Sequence, residues 1–114
     1  MTAELAKRIE KYPLYFQDGK GSSAKILCKF FTPMANFTWY VLEGNKLPDG
    51  DYEFFGIVDG YEREYGYFRL SELKGLKKSI TIRGVRFDMS LVERDMYFKS
   101  ATVGEVLGKW GYED

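Results

Sequence analysis

The sequence predicts an α+β fold: a twisted antiparallel sheet of about five or six strands in a meander, with short helices at the N- and C-termini. Three observations carry this expectation. Runs of aromatic and branched aliphatic residues recur at short intervals, as in Lys29-Phe30-Phe31-Thr32, Trp39-Tyr40-Val41-Leu42 and Phe54-Phe55-Gly56-Ile57-Val58. Turn chemistry separates them, notably Leu47-Pro48-Asp49-Gly50 and Asp59-Gly60. Helical spacing marks both ends of the chain. Strands joined in order by short connections favour an antiparallel meander, and helices at its ends would cover one face.

The elements follow in order. Residues 3–12 predict a helix with Leu5, Ile9 and Tyr12 on one face, ended by Pro13. Gln17 to Ser23 is a loop. A first strand spans Lys25 to Thr32, with Ile26, Cys28 and Phe30 expected on one face and Leu27 and Phe31 on the other; apolar residues on both faces suit a central strand. After a turn at Pro33 to Asn36 comes a second strand, Phe37 to Glu43, and then a third, Tyr52 to Val58. Asp59-Gly60 leads, by a tight or a longer connection, to a fourth, Glu64 to Leu70. Ser71 would cap a short helical turn running to Leu76. Ser79 to Phe87 alternates as a fifth strand, bent or bulged at Gly84, and Leu91 to Phe98 adds a sixth. Thr102 and Glu105 have capping-box spacing, so a last helix starts there and ends near Gly108.

At 114 residues the chain is expected to form a single domain, 1–114. Two Trp, nine Tyr and nine Phe supply a core built from few, large side chains. The one cysteine, Cys28, rules out an intrachain disulfide and fits a reducing cytoplasm. It sits in an apolar run and reads as a small buried hydrophobe. The chain has no histidine, which excludes Ser-His-Asp and Cys-His catalysis and histidine-ligated zinc. Carboxylate, lysine or tyrosine chemistry remains, or none. Residues 1–12 are charged and lack the apolar core of a signal peptide, and no apolar run approaches a membrane span.

Net charge is zero but unevenly spread. Leu73 to Arg86 holds Lys74, Lys77, Lys78, Arg83 and Arg86 and no acid, directly after an acid-rich stretch that includes Asp59, Glu62 and Glu64. These residues, with Tyr61, are the candidate partner-binding set. The basic segment would meet an acidic protein patch or a phosphate backbone; the competing reading is a solvated edge hairpin. The acids invite a metal site of Asp59, Glu62 and Glu64, or an acid–base pair of Asp59 with Glu93 or Asp95. Against these stands a plain hairpin turn with its carboxylates in water, and no cofactor or metal is assigned. Arg94 would pair with a carboxylate across the sheet. Phe30, Trp39, Tyr40, Phe55, Tyr65 and Tyr67 would stack nucleic-acid bases only if they shared an open face; core is the simpler use of such rings. Gly19-Lys20-Gly21-Ser22-Ser23 lacks the spacing of a phosphate loop.

Pro13-Leu14-Tyr15, Lys29 to Pro33, Trp39 to Gly44, Phe54 to Glu62, Gly66-Tyr67-Phe68 with Leu70-Ser71-Glu72-Leu73, and Val92 to Phe98 form an ordered succession. In these segments the chain resembles the plasmid- and phage-borne domain of unknown function, family 2958. The resemblance implies a setting on bacterial mobile genetic elements and a cytoplasmic location in the host cell. It implies no activity. The chain departs from the family between Lys74 and Phe87, which is longer and more basic here. The resulting expectation is a non-enzymatic accessory protein that binds a host protein or protein–nucleic-acid complex. A counter-defence inhibitor of a CRISPR or restriction complex would be one such protein, as a monomer or homodimer. The alternatives are a nucleic-acid-binding module using residues 74–86 and a carboxylate- or metal-dependent hydrolase.

Overall fold

The computed structural model describes residues 2–32, 37–96, 98 and 101–108, with the backbone alone of 77–80, 82 and 86–90. The turn expected at Pro33 to Asn36 lies outside the described residues.

Chain order runs α1 (Ala3–Glu10), a 3-10 turn (Gly21–Ser23), β1 (Lys25–Ile26), β2 (Cys28–Phe31), β3 (Thr38–Lys46), β4 (Tyr52–Asp59), β5 (Arg63–Arg69), α2 (Leu70–Gly75), β6 (Lys77–Ile82), β7 (Val85–Ser90), β8 (Glu93–Arg94), β9 (Ala101–Thr102) and α3 (Val103–Leu107). The main sheet has five antiparallel strands in the order β5-β4-β3-β2-β8. Four of them form the expected meander. The fifth place is filled differently from expectation: β8 docks beside β2, while Ser79 to Phe87 falls in a separate β6–β7 hairpin. Gly84 is no bulge. Arg83 and Gly84, at φ 52° and 80°, form a two-residue turn that closes Ile82 onto Val85. A two-residue turn with both central φ values positive matches the twist of paired strands.

The sheet is buried on both faces. On one, Leu5 and Ile9 of α1 and Leu70 and Leu73 of α2 pack over Phe30, Trp39, Val41, Phe54 and Phe68. On the other, Val103 of α3 covers Ile26, Tyr40, Leu42 and Ile57. Thus the terminal helices take opposite faces rather than one. The Thr102–Glu105 capping box forms as expected: Glu105 N–H donates to Thr102 Oγ1 at 3.2 Å and Thr102 N–H to Glu105 Oε1 at 3.0 Å. Ser71 caps nothing. Helix α2 begins one residue earlier, and Ser71 donates its N–H and hydroxyl to Asp51, at 3.0 and 2.6 Å. The Ser71 hydroxyl is the main reason the Asp51 carboxyl sits below its ordinary range.

Two register shifts explain how one sequence serves both faces. Leu27 N–H donates to Val41 O although Cys28 is the residue opposite Val41, so two residues face one, as in a β-bulge. The bulge puts Leu27, Cys28 and Phe30 together and sends Ile26 to the far face, where strict alternation predicted Ile26, Cys28 and Phe30 together. A second shift between Val41 and Glu43 turns the Glu43 carboxylate inward. There it accepts the backbone N–H groups of Tyr15 and Gln17. Gln17 in turn receives Lys25 N–H and donates to Lys25 O and Leu42 O. A buried carboxylate is tolerable only with such donors; here it pins the loop after α1 to the sheet.

Candidate functional site

The acidic candidates sit at the β4–β5 turn. Asp59 lies opposite Arg63 in the register and forms an ion pair with it at 3.4 Å. Glu62 and Glu64 are exposed. Tyr61 is 97% exposed, with its ring edge-on to Phe37 at 5.6 Å. The acid–base pairings do not assemble. Asp59 pairs with Thr38, Thr38 with Phe31, and Phe31 with Glu93, so Asp59 and Glu93 stand three strands apart. At about 4.8 Å per strand that is roughly 14 Å, too far for a shared proton or a single water. Asp95 is engaged by Lys29 at 3.7 Å. Among the described residues no three acids or cysteines gather as a metal site.

The aromatic candidates do not share a face. Phe30 and Trp39 are buried under α1 and α2, and Tyr40 is buried on the other side. Only Phe55, Tyr65 and Tyr67 make an outer stack, with Phe55 parallel to Tyr65 at 5.7 Å and 5.0 Å from Tyr67. Tyr67 is hydrogen-bonded to Tyr15, and that bond is the main reason its hydroxyl is pushed up to about 12. Cys28 is buried, and burial pushes its thiol up to about 12, which leaves it protonated and unreactive at neutral pH.

The basic candidates fall on α2 and on the β6–β7 hairpin. Lys74 is exposed on α2 and Arg83 is exposed at the hairpin turn, next to Val85 at 55% exposure. The side chains of Lys77, Lys78 and Arg86 lie outside the described residues; their backbone is in the paired strands. The hairpin forms a sheet of its own, and a Leu91 N–H to Leu76 O bond of 2.9 Å closes its base. Six-residue strands give an arm about 20 Å long. Such an arm suits the radius of gyration, 15.3 Å, against about 13 Å for an ordinary domain of this length. None of the described contacts joins the arm to the acidic turn.

A feature the sequence did not announce lies beside α2. A cavity of about 280 Å³ opens between the start of α1, β2, α2 and β8. Leu5, Phe30, Leu70, Leu73, Val92 and Met96 make it largely apolar. Thr2, Lys74 and Arg94 are its polar members. Arg94 does not make the expected ion pair among the described residues. Its Nη1 donates to Thr2 Oγ1 over a long 3.3 Å, and its Nε is buried without a partner. The one advance signal was a charge set in the apolar run from Leu91 to Phe98.

A two-sided sheet with a separate basic hairpin and an apolar, cation-edged cavity defines a small α+β protein. The family described as protein of unknown function (DUF2958) matches residues 1–106, and the chain belongs to it. No curated protein and no solved structure matches the chain. Among the described residues no helix is long and apolar enough to cross a membrane.

Proposed function

We propose that the chain is a binding protein without turnover chemistry, and that it docks the β6–β7 arm on an acidic surface of a protein in the bacterial cell that carries it. The observation that carries this reading is the arm itself. It forms a two-stranded sheet of its own, separate from the five-stranded one, and it holds Lys77, Lys78, Arg83 and Arg86. A basic hairpin with a ladder of its own, exposing Arg83 and Val85 at its tip, is suited to contact outside the chain. The family's setting on mobile elements makes a host nucleic-acid defence complex the favoured class of target. Zero net charge supports a protein partner over nucleic acid, whose binding rests on excess positive charge.

Excising the arm tests this. The Leu76–Leu91 hydrogen bond brings the arm's two ends together, so residues 77–90 can be replaced by a short glycine turn without stretching the core. The expected result is a folded protein that no longer retains the host protein captured by the parent chain. Equal retention without the arm would overturn the proposal. Salt-sensitive capture of nucleic acid alone, lost with the arm, would replace it with the nucleic-acid reading.

A further inference from the structure

Among the described residues, the cavity beside α2 sets a cation against apolar walls with no carboxylate beside it. Arg94 reaches it from β8, with Lys74 at the mouth and no acid among the described residues of the lining. The inner nitrogen of the Arg94 guanidinium is shut from water and unpaired. Its one described bond goes to Thr2 Oγ1, an oxygen that also accepts Leu5 N–H at 3.2 Å. A partly desolvated cation with so little compensation attracts an anion more strongly than a hydrated one. Helix α1 starts at this wall, with Thr2 as its N-cap, so its dipole favours negative charge in the same place.

The remaining lining selects the rest of the ligand. Leu5, Phe30, Leu73 and Val92 offer no hydrogen-bonding side-chain atoms, and among the described residues of the lining Thr2 supplies the only hydroxyl. A peptide terminus would bring backbone amides that these walls leave unpaired. A nucleotide would bring still more polar groups. An alkyl chain brings none. We propose that this cavity binds a medium-chain alkyl carboxylate. The carboxylate meets the outer nitrogens of Arg94, and the chain lies between Leu5, Phe30 and Leu73 with Met96 over the opening. Met96 is 66% exposed, and an unbranched thioether adapts readily to a flexible chain. The site is separate from the β6–β7 arm, so it stands or falls independently of the proposed function.

The probe is octanoate, titrated below its micellar concentration and followed by calorimetry and methyl NMR. Binding is expected to shift the Leu5, Leu73 and Val92 methyl resonances. Affinity is expected to rise about fourfold per added methylene, the equivalent of the transfer of one methylene from water, and to level off once the cavity is full. Octylammonium, of equal length and opposite charge, is expected not to bind. Arg94→Gln is expected to weaken octanoate at least about tenfold, as loss of a charge-assisted hydrogen bond does. Should that variant not fold, Lys74→Glu at the exposed mouth provides the second reading, with a several-fold loss expected. Absence of methyl shifts at millimolar octanoate would overturn the proposal. So would equal binding of octylammonium, or affinity that climbs with chain length without levelling.

Discussion

The five-stranded sheet and the β6–β7 arm are both antiparallel, yet different forces hold them. Strands β3 and β4 of the sheet are packed on two sides, with α1 and α2 over one face and α3 over the other. Its irregularities, at Leu27 and at Leu42, are locked by hydrogen bonds and by the buried Glu43 carboxylate. Among the described residues the arm has one ladder, a two-residue turn and a bond from Leu91 N–H to Leu76 O at its base. An isolated two-stranded hairpin is marginal in water. The sheet therefore spends its side chains on staying folded, while the tip of the arm exposes Arg83 and Val85. Substitutions in the two should separate stability from binding.

The largest effect is expected where the backbones come closest. A Cβ on Gly56 would lie 1.9 Å from Tyr40 O and 3.2 Å from Val41 Cα, and neither backbone atom can turn aside. Gly56→Ala should cost more than about 3 kcal/mol in urea unfolding, above the usual range for overpacking. A near-normal midpoint would show that β3 and β4 can move apart at the bulge. Next is Glu43. Glu43→Ala strands the N–H groups of Tyr15 and Gln17 and should cost about 3 kcal/mol; Glu43→Gln keeps one acceptor oxygen and should cost about half as much. Equal losses in the two variants would mean that the hydrogen bonds contribute little and the loop is held by packing.

Cys28 tests the same core through pH. Burial raises its thiol from 9.0 to about 12 in the folded chain. Between those values the unfolded chain has lost its proton while the folded chain keeps it, so stability falls as pH rises. The parent should lose about 1 kcal/mol more than Cys28→Ala between pH 9 and 10. Tyr40, also raised by burial, is common to both proteins and cancels in the difference. Parallel stability curves would show that the thiol is hydrated.

How much was legible follows the same division. The ranges of β4 and β5, the Leu5 and Ile9 face of α1 and the capping box of α3 are local: each is written in residues within a few positions of one another and formed within a residue of expectation, while β3 runs three residues past the expected Glu43 and α1 stops at Glu10, short of Tyr12. The bulges are not local. Nothing near Leu27 marks it as the residue that breaks alternation; the break follows from β1 leaving β2's ladder to pair with β9. Nothing beside Glu43 in the sequence marks it as buried, because its donors, Tyr15 and Gln17, are more than twenty residues away. The Arg94 cavity needs α1, β2, α2 and β8 together before it exists. Charge segregation was legible at once, since it needs only composition. What it belonged to, a free-standing hairpin rather than a sheet edge, depended on pairing.

The smallest effect on stability bears most on the arm. Arg83 holds φ 52° at the turn, a left-handed conformation that costs an ordinary residue about 1 kcal/mol and that asparagine adopts more readily. Arg83→Asn should therefore slow hydrogen exchange in the arm several-fold while leaving the unfolding midpoint of the sheet unchanged. If Arg83 is there only to connect two strands, that tighter arm should bind its partner as well as before or better. If the turn is occupied by arginine for its charge, binding should weaken while the arm becomes more ordered. Affinity and local protection would then move in opposite directions, an outcome that no purely structural role for Arg83 produces.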